Sequence, residues 1–168
     1  NTLGVSEADI LGISAALSSL GIAAERGGSA VSKFFVNMAS AVSAGGHKLE
    51  NFAKVAGMTS EEFKSLYQQS SSAAFTAFID GLARIKAEGG DVVDVLNGMK
   101  IKEVRLRDTL LKLANGSEVL HKSLNLANEA YKEGTALDKE YNEQLNSTKS
   151  QWKIAKNNAY QIGRASCR

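Results

Sequence analysis

Apolar residues recur along most of this chain at steps of three and four, the spacing that places side chains on one face of an α-helix. Ser6 precedes the first of these stripes and is a predicted N-cap. That stripe comprises Ile10, Ile13, Leu17 and Leu20. The sequence contains no proline, which favours long helices with short links. We therefore predict an all-α fold, a compact multi-helix domain of about seven helices with a long C-terminal helix.

Glycines predict where several of these helices end. The pair Gly27-Gly28 is expected to separate the first helical region from a second helix that runs from Ser29 to Ala44. Further along, Gly134 is expected to stop a helix and Thr135 to cap the next one.

Residues 100–107 are ambiguous, because polar and apolar side chains alternate there as they do in a β-strand. No second strand is available elsewhere in the chain to pair with this segment. We therefore predict that a helix begins at Lys100 and reaches Ala114.

The stretch from Gly57 to Phe63 predicts a sharply defined helix–helix corner. Gly57 suits the left-handed position just after a helix end. Thr59 is a predicted N-cap, and Glu62, three residues later, completes a capping box. Met58 and Phe63 flank the box at the positions of a hydrophobic staple. We predict a structural corner formed by these residues.

The last predicted helix is the longest, and it carries the one charge asymmetry of the chain. We predict a compact helical core over 1–134, the long helix over 135–162, packed on the core or projecting from it, and a disordered or vector-derived tail over 163–168. A candidate interaction stripe lies on the long helix and comprises Lys149, Trp152, Lys153 and Lys156. A basic stripe of this kind can bind an acidic surface or phosphates. It is better explained as a solvated helix whose charges complement its own dipole, which is the favoured interpretation.

Composition and residue spacing favour no catalytic, cofactor or metal site. The net charge is +2, too small to indicate a nucleic-acid partner by itself, and direct DNA binding is not expected. His47 and His121 have no second histidine or cysteine at ligand spacing, and the only cysteine, Cys167, lies in the predicted tail. Asp91 and Asp94 are better explained as helix-start acids than as cation ligands. No apolar run approaches the roughly 20 residues of a membrane-spanning helix.

An ordered series of segments nevertheless resembles a known family. The segments are Ala8–Leu17 with Leu20–Ile22, Phe52–Phe63, Ala77–Leu82, Arg105–Asp108 with Leu110–Leu111, and Leu126–Tyr131. In this order and spacing the chain resembles the core region of tail tape-measure proteins of tailed bacteriophages and prophages. The resemblance covers about residues 6 to 160 and rests on the series, since no single motif is diagnostic.

The resemblance implies a structural role without enzymatic activity. Such proteins occupy the lumen of the growing tail, set its length and leave with the DNA at ejection, so the implied locations are the virion tail and, during assembly, the host cytoplasm. The implied partners are tail tube and tail-tip proteins and tail assembly chaperones, with self-association through the long helix as a further expectation. The chain is then expected to be one piece of a longer protein.

Two other classes of function stay open. A general helical protein–protein interaction module of a secretion or toxin system would show the same helical stripes. An enzyme is the third alternative, and the lack of a recognisable catalytic constellation argues against it.

Overall fold

The computed structural model of the protein describes residues 4–135, and the regular structure there consists only of α-helices. The first four are α1 (Glu7–Ser19), α2 (Ala24–Ala44), α3 (Gly46–Ala56) and α4 (Ser60–Gln69). The others are α5 (Ser71–Ala87), α6 (Val92–Gly98), α7 (Val104–Asn115) and α8, which spans 117–135. The all-α prediction is thereby confirmed for the described part of the chain.

The predicted number of about seven helices is too low, since residues 4–135 alone contain eight. The count includes the seven-residue α6, whose N-cap Asp91 accepts hydrogen bonds from the backbone N–H groups of Val93 and Asp94. The predicted stop at Gly134 is also wrong. Helix α8 continues through this residue, and the Thr135 hydroxyl donates to the carbonyl of Tyr131 one turn earlier.

The chain divides into two compact units, Asn1–Asn128 and Glu129–Arg168. Of the second unit, only the helical residues 129–135 are described. The predicted long helix over 135–162 and the predicted tail over 163–168 lie outside the described residues, apart from Thr135 itself, and stay predictions.

The core of the first unit is built around Phe34 of α2. Its ring centroid lies 4.8 Å from that of Phe78 on α5, and 5.6 Å from those of Phe52 and Phe75. The ring of Phe63 on α4 extends the cluster, with its centroid 6.1 Å from that of Phe52. All five side chains are buried. Aromatic pairs at such distances add about 0.5–1.5 kcal/mol each beyond their area burial, so this cluster fixes α2, α3, α4 and α5 together.

Glycine allows two pairs of helices in this unit to approach closely. A Cβ atom at Gly12 of α1 would lie 2.8 Å from the Cα atom of Leu124 on α8. A Cβ atom at Gly81 of α5 would lie 1.9 Å from the carbonyl oxygen of Val55 on α3. Both distances are shorter than a real side chain tolerates, so the contacts require glycine.

The predicted helix boundary at Gly27-Gly28 is wrong, because α2 begins at Ala24 and includes both residues. Gly27 is buried, and a Cβ atom there would lie 2.9 Å from side-chain atoms of Leu17 and Ile22. This glycine therefore makes room for neighbouring side chains and does not end a helix.

The predicted helix start at Lys100 is four residues too early, since α7 begins at Val104. Lys100 instead ends α6 in the left-handed conformation, with a φ of 62°. Its backbone N–H donates to the carbonyl oxygen of Asn97 at 2.9 Å, and the backbone N–H of Ile101 donates to the carbonyl oxygen of Leu96 at 2.9 Å. These two hydrogen bonds form a Schellman motif, in which the left-handed residue is usually glycine.

Candidate functional site

The corner between α3 and α4 contains the predicted capping box. Gly57 is left-handed with a φ of 75° and closes α3. The Thr59 hydroxyl accepts from the Glu62 N–H at 3.2 Å, and the Glu62 carboxylate accepts from the Thr59 N–H at 2.9 Å. Met58 is half-buried against the core, and Phe63 is fully buried. These contacts set the geometry of the corner and present no chemistry toward a ligand.

A polar cluster joins α1, α5 and α8 beside the close approach of Gly12. Asp9 accepts from Ser72 at 2.7 Å and from Asn128 at 3.0 Å. Burial raises the pKa of Asp9, but the hydrogen bonds from Asn128, Ser6 and Ser72 outweigh burial and lower the pKa overall. The carboxylate is therefore held ionised and fully engaged, as a structural clamp would be.

The two histidines occupy separate exposed positions. His47 Nδ1 lies 3.1 Å from a carboxylate oxygen of Glu50, and His121 Nε2 lies 2.9 Å from one of Asp80. Each histidine thus contacts one surface carboxylate. Within residues 4–135, no group of three histidine, cysteine or carboxylate side chains is arranged to hold a metal ion.

One recess of the first unit runs along the exposed side of α2. Three adjoining hollows form it, of which the one between α2, α3 and the segment after α6 encloses about 360 Å³. The neighbouring hollows share Asn37, Lys33 and Glu103 with one another. We call this the cationic groove, after the basic side chains that line it: Arg26, Lys33, Lys48, Lys100 and Arg105.

The charges of the cationic groove are mostly uncompensated. Lys33 Nζ contacts both carboxylate oxygens of Glu103, at 2.9 and 3.0 Å, and this ion pair joins α2 to the start of α7. Lys48, Lys100 and Arg105 are exposed and form no ion pair with a described residue. Glu25 is the only other acid that lines the described groove. The arrangement is suited to binding an anionic partner.

Sequence reasoning placed the interaction stripe elsewhere and missed this groove. The predicted stripe of Lys149, Trp152, Lys153 and Lys156 lies outside the described residues. A signal for the groove was present in residues 100–107, which contain four basic side chains and one acidic side chain. The other cations come from α2 and α3, so only the fold brings them together.

Comparison of the chain with protein-family models, with curated proteins and with solved structures found no match. None of the described helices combines the length and the hydropathy needed to cross a bilayer.

Proposed function

We propose that this chain is a structural domain of a tail tape-measure protein from a tailed bacteriophage or prophage. In this role it resides in the tail lumen, contributes to setting the tail length during assembly and leaves with the DNA. The observation that carries the proposal is the ordered series of segments over about residues 6 to 160, whose order and spacing resemble the core region of that family. The all-α fold is compatible with such a role.

Residues from these segments lie where the described helices pack closely against one another. Gly12, in the first segment, provides the close contact of α1 with α8. Gly81, in the third segment, provides the close contact of α5 with Val55, which belongs to the second segment. The resemblance therefore coincides with positions that fix helix packing, as expected for a domain with a structural role.

A structural role is proposed ahead of catalysis for a further reason. His47 and His121, the side chains best suited to proton transfer near neutral pH, are each exposed and each held by a single surface carboxylate. Among the described residues, neither histidine forms a hydrogen bond with a serine hydroxyl or a second base, as the activation of a nucleophile would require. The proposed partners are tail tube and tail-tip proteins and tail assembly chaperones.

The second candidate is a helical interaction module of a secretion or toxin system. The cationic groove supports it, because an exposed groove with uncompensated charge can bind a protein partner, which is all that this role requires. This candidate requires no tail and no length measurement.

Disruption of the gene in the phage or lysogen that carries it separates the two candidates. A tape-measure role predicts DNA-filled heads without tails by electron microscopy, and restoration of tails when the intact gene is supplied in trans. An epitope tag on the restored protein should appear in purified tails. Normally tailed particles from the disrupted gene would overturn the proposal in favour of the interaction module.

A further inference from the structure

We infer that the cationic groove binds an amphipathic partner helix that presents an acidic face and an apolar face. The inference depends only on the groove residues of the described first unit. It therefore holds whether the chain acts in a tail or in another assembly, and it assigns a binding surface that the tape-measure role does not specify.

The first step of the argument is the availability of the charges. Lys48 and Lys100 line the largest of the three hollows of the groove, and Arg105 lines the hollow at its other end. All three side chains are exposed, and none is neutralised by a described carboxylate. An acidic partner can thus pair with them without first breaking an ion pair.

The second step is the conformation of Lys100. It occupies a left-handed position that glycine adopts without strain, whereas a residue with a Cβ atom is penalised there. The other Schellman-type helix ends of this unit, at Gly21, Gly57 and Gly89, use glycine. A strained residue at a surface hollow is a reasonable starting point for a functional hypothesis. The ammonium group of Lys100 is what glycine could not supply.

The third step distinguishes a protein helix from a phosphate backbone. Phe52, Met99 and Ile101 contribute apolar side chains to the lining of the largest of the three hollows of the groove. Val36, on the adjoining wall, keeps 55% of its surface exposed. A partner with leucine or phenylalanine side chains can bury these apolar walls and gain binding free energy from the burial, whereas a phosphate backbone has no apolar side chains to place against them.

Acidic residues in the groove support the same choice. Glu25 and Glu103 line its far end, where a helix can present uncharged polar side chains as hydrogen-bond donors, whereas a phosphate backbone is charged at every nucleotide. The groove follows α2, whose 21 residues span about 32 Å. A partner helix of about 18 residues would therefore span most of its length.

The test measures fluorescence anisotropy of labelled probes with the full 168-residue chain. The main probe is a synthetic helix of about 18 residues with leucines on one face and glutamates on the other. Comparison probes are a peptide of the same composition in scrambled order, the same helix with lysine for glutamate, and single- and double-stranded DNA of similar length. We expect saturable binding of the acidic amphipathic helix only, weakened several-fold as the salt concentration rises from about 50 to 300 mM.

Charge reversal with a matched control locates the binding surface. The combined substitutions Lys48→Glu and Lys100→Glu should weaken binding at least tenfold. The control combines Lys64→Glu on α4 with Lys122→Glu on α8, two exposed lysines outside the groove. Both pairs change the net charge from +2 to −2, so a general charge effect would weaken binding equally in the two proteins.

Lys100→Gly separates the charge from the backbone. It should raise the Tm by about 2–4 °C, because the left-handed strain is relieved, and it should weaken peptide binding about threefold or more. If Lys100 had only a structural role, the Lys100→Gly protein would have the higher Tm and an unchanged affinity for the peptide. The inference is overturned by that result, by equal loss in the Lys64/Lys122 control, by tighter binding of DNA than of the acidic helix, or by no binding of the helix.

Discussion

Gly81 and Arg84 of α5 both meet the carbonyl oxygen of Val55, near the end of α3. The backbone of Gly81 approaches so closely that a Cβ atom would lie 1.9 Å from this oxygen. Arg84, one turn later, donates from Nη2 to the same oxygen at 3.3 Å. The glycine thus allows the approach, and the arginine satisfies a carbonyl that the end of a helix leaves without an intrahelical partner.

This relationship predicts a large effect of Gly81→Ala on stability. The obstructing atoms belong to the backbone of Val55, which cannot rotate away as a side chain can, so α3 and α5 must separate. Overpacking usually costs about 1–3 kcal/mol, and we expect the upper end of this range or more for the free energy of unfolding in urea.

Gly28→Ala is the matched control for that measurement. Gly28 also lies inside a helix, but nothing occupies the space within 4 Å of its missing Cβ atom. Alanine should stabilise the protein there by about 0.5–1 kcal/mol. If the two alanine variants changed the free energy of unfolding alike, the close approach of α3 and α5 would be wrong.

Thr59→Ala should cost about 1 kcal/mol of stability, because it removes the N-cap of α4. Glu62→Ala should cost less, since its carboxylate is exposed and water can replace part of its contact with the Thr59 N–H. Chemical denaturation of the two variants and the parent tests the order. An unchanged denaturation midpoint for Thr59→Ala would contradict the boundary of α4.

Asp9 should make the protein more stable above pH 4 than below it. Its pKa is lower in the folded protein than the ordinary value of 3.8, so the unfolded chain binds the proton more readily. The stabilisation is therefore present above the ordinary pKa and is lost as the pH falls through the lower folded pKa. Asp9→Asn should show a shallower loss of stability between about pH 5 and pH 2.

Glu88→Gln is the control for this pH dependence. Its side chain is exposed, and its carboxylate makes no hydrogen bond or ion pair with a described residue. The free energy of unfolding, measured by urea denaturation at several pH values, should change with pH as steeply in this variant as in the parent protein. An Asp9→Asn protein that lost stability as steeply as the parent would refute the role of Asp9.

Deletion of residues 46–89 in the complete gene tests how the domain would act within the proposed tail function. A linear helical ruler predicts viable particles with tails shorter by about 66 Å. The deleted residues include α3, α4 and α5 and four of the five clustered phenylalanines. A folded module therefore predicts failed assembly, or tails of unchanged length. Tail lengths measured by electron microscopy distinguish the two models. Viable particles whose tails are shorter by about 66 Å would refute the folded module.

The corner at Gly57 was predictable because all of its determinants lie within seven consecutive residues. The left-handed glycine, the Thr59 cap and the Glu62 contact are local, so a single stretch of sequence specifies them. The all-α class was predictable for a similar reason, since helical stripes are periodic along the chain.

The wrong or missing sequence predictions concern residues whose role depends on distant parts of the chain or on an unusual backbone conformation. The sequence around Gly27 predicts a helix break, but in the folded protein Leu17 and Ile22 fill the space beside this glycine. The sequence predicts a helix start at Lys100, because lysine rarely adopts the left-handed conformation that ends α6. The cationic groove collects side chains from α2, α3 and the segments around α6 and α7, and no local pattern indicates that they converge.

The aromatic cluster around Phe34 has a consequence for the order of folding events. Its five rings come from residues 34–78, and successive helices there are joined by very short links. Few long loops must close before these rings meet, so we expect this cluster to form early in folding, ahead of the sequence-distant contact of α1 with α8. If the domain is drawn out through a passage narrower than itself, this cluster should be the first part of its structure to re-form afterwards. For a protein whose proposed place is the lumen of a tail, unfolding during ejection would then be a transient state rather than the end of its structure.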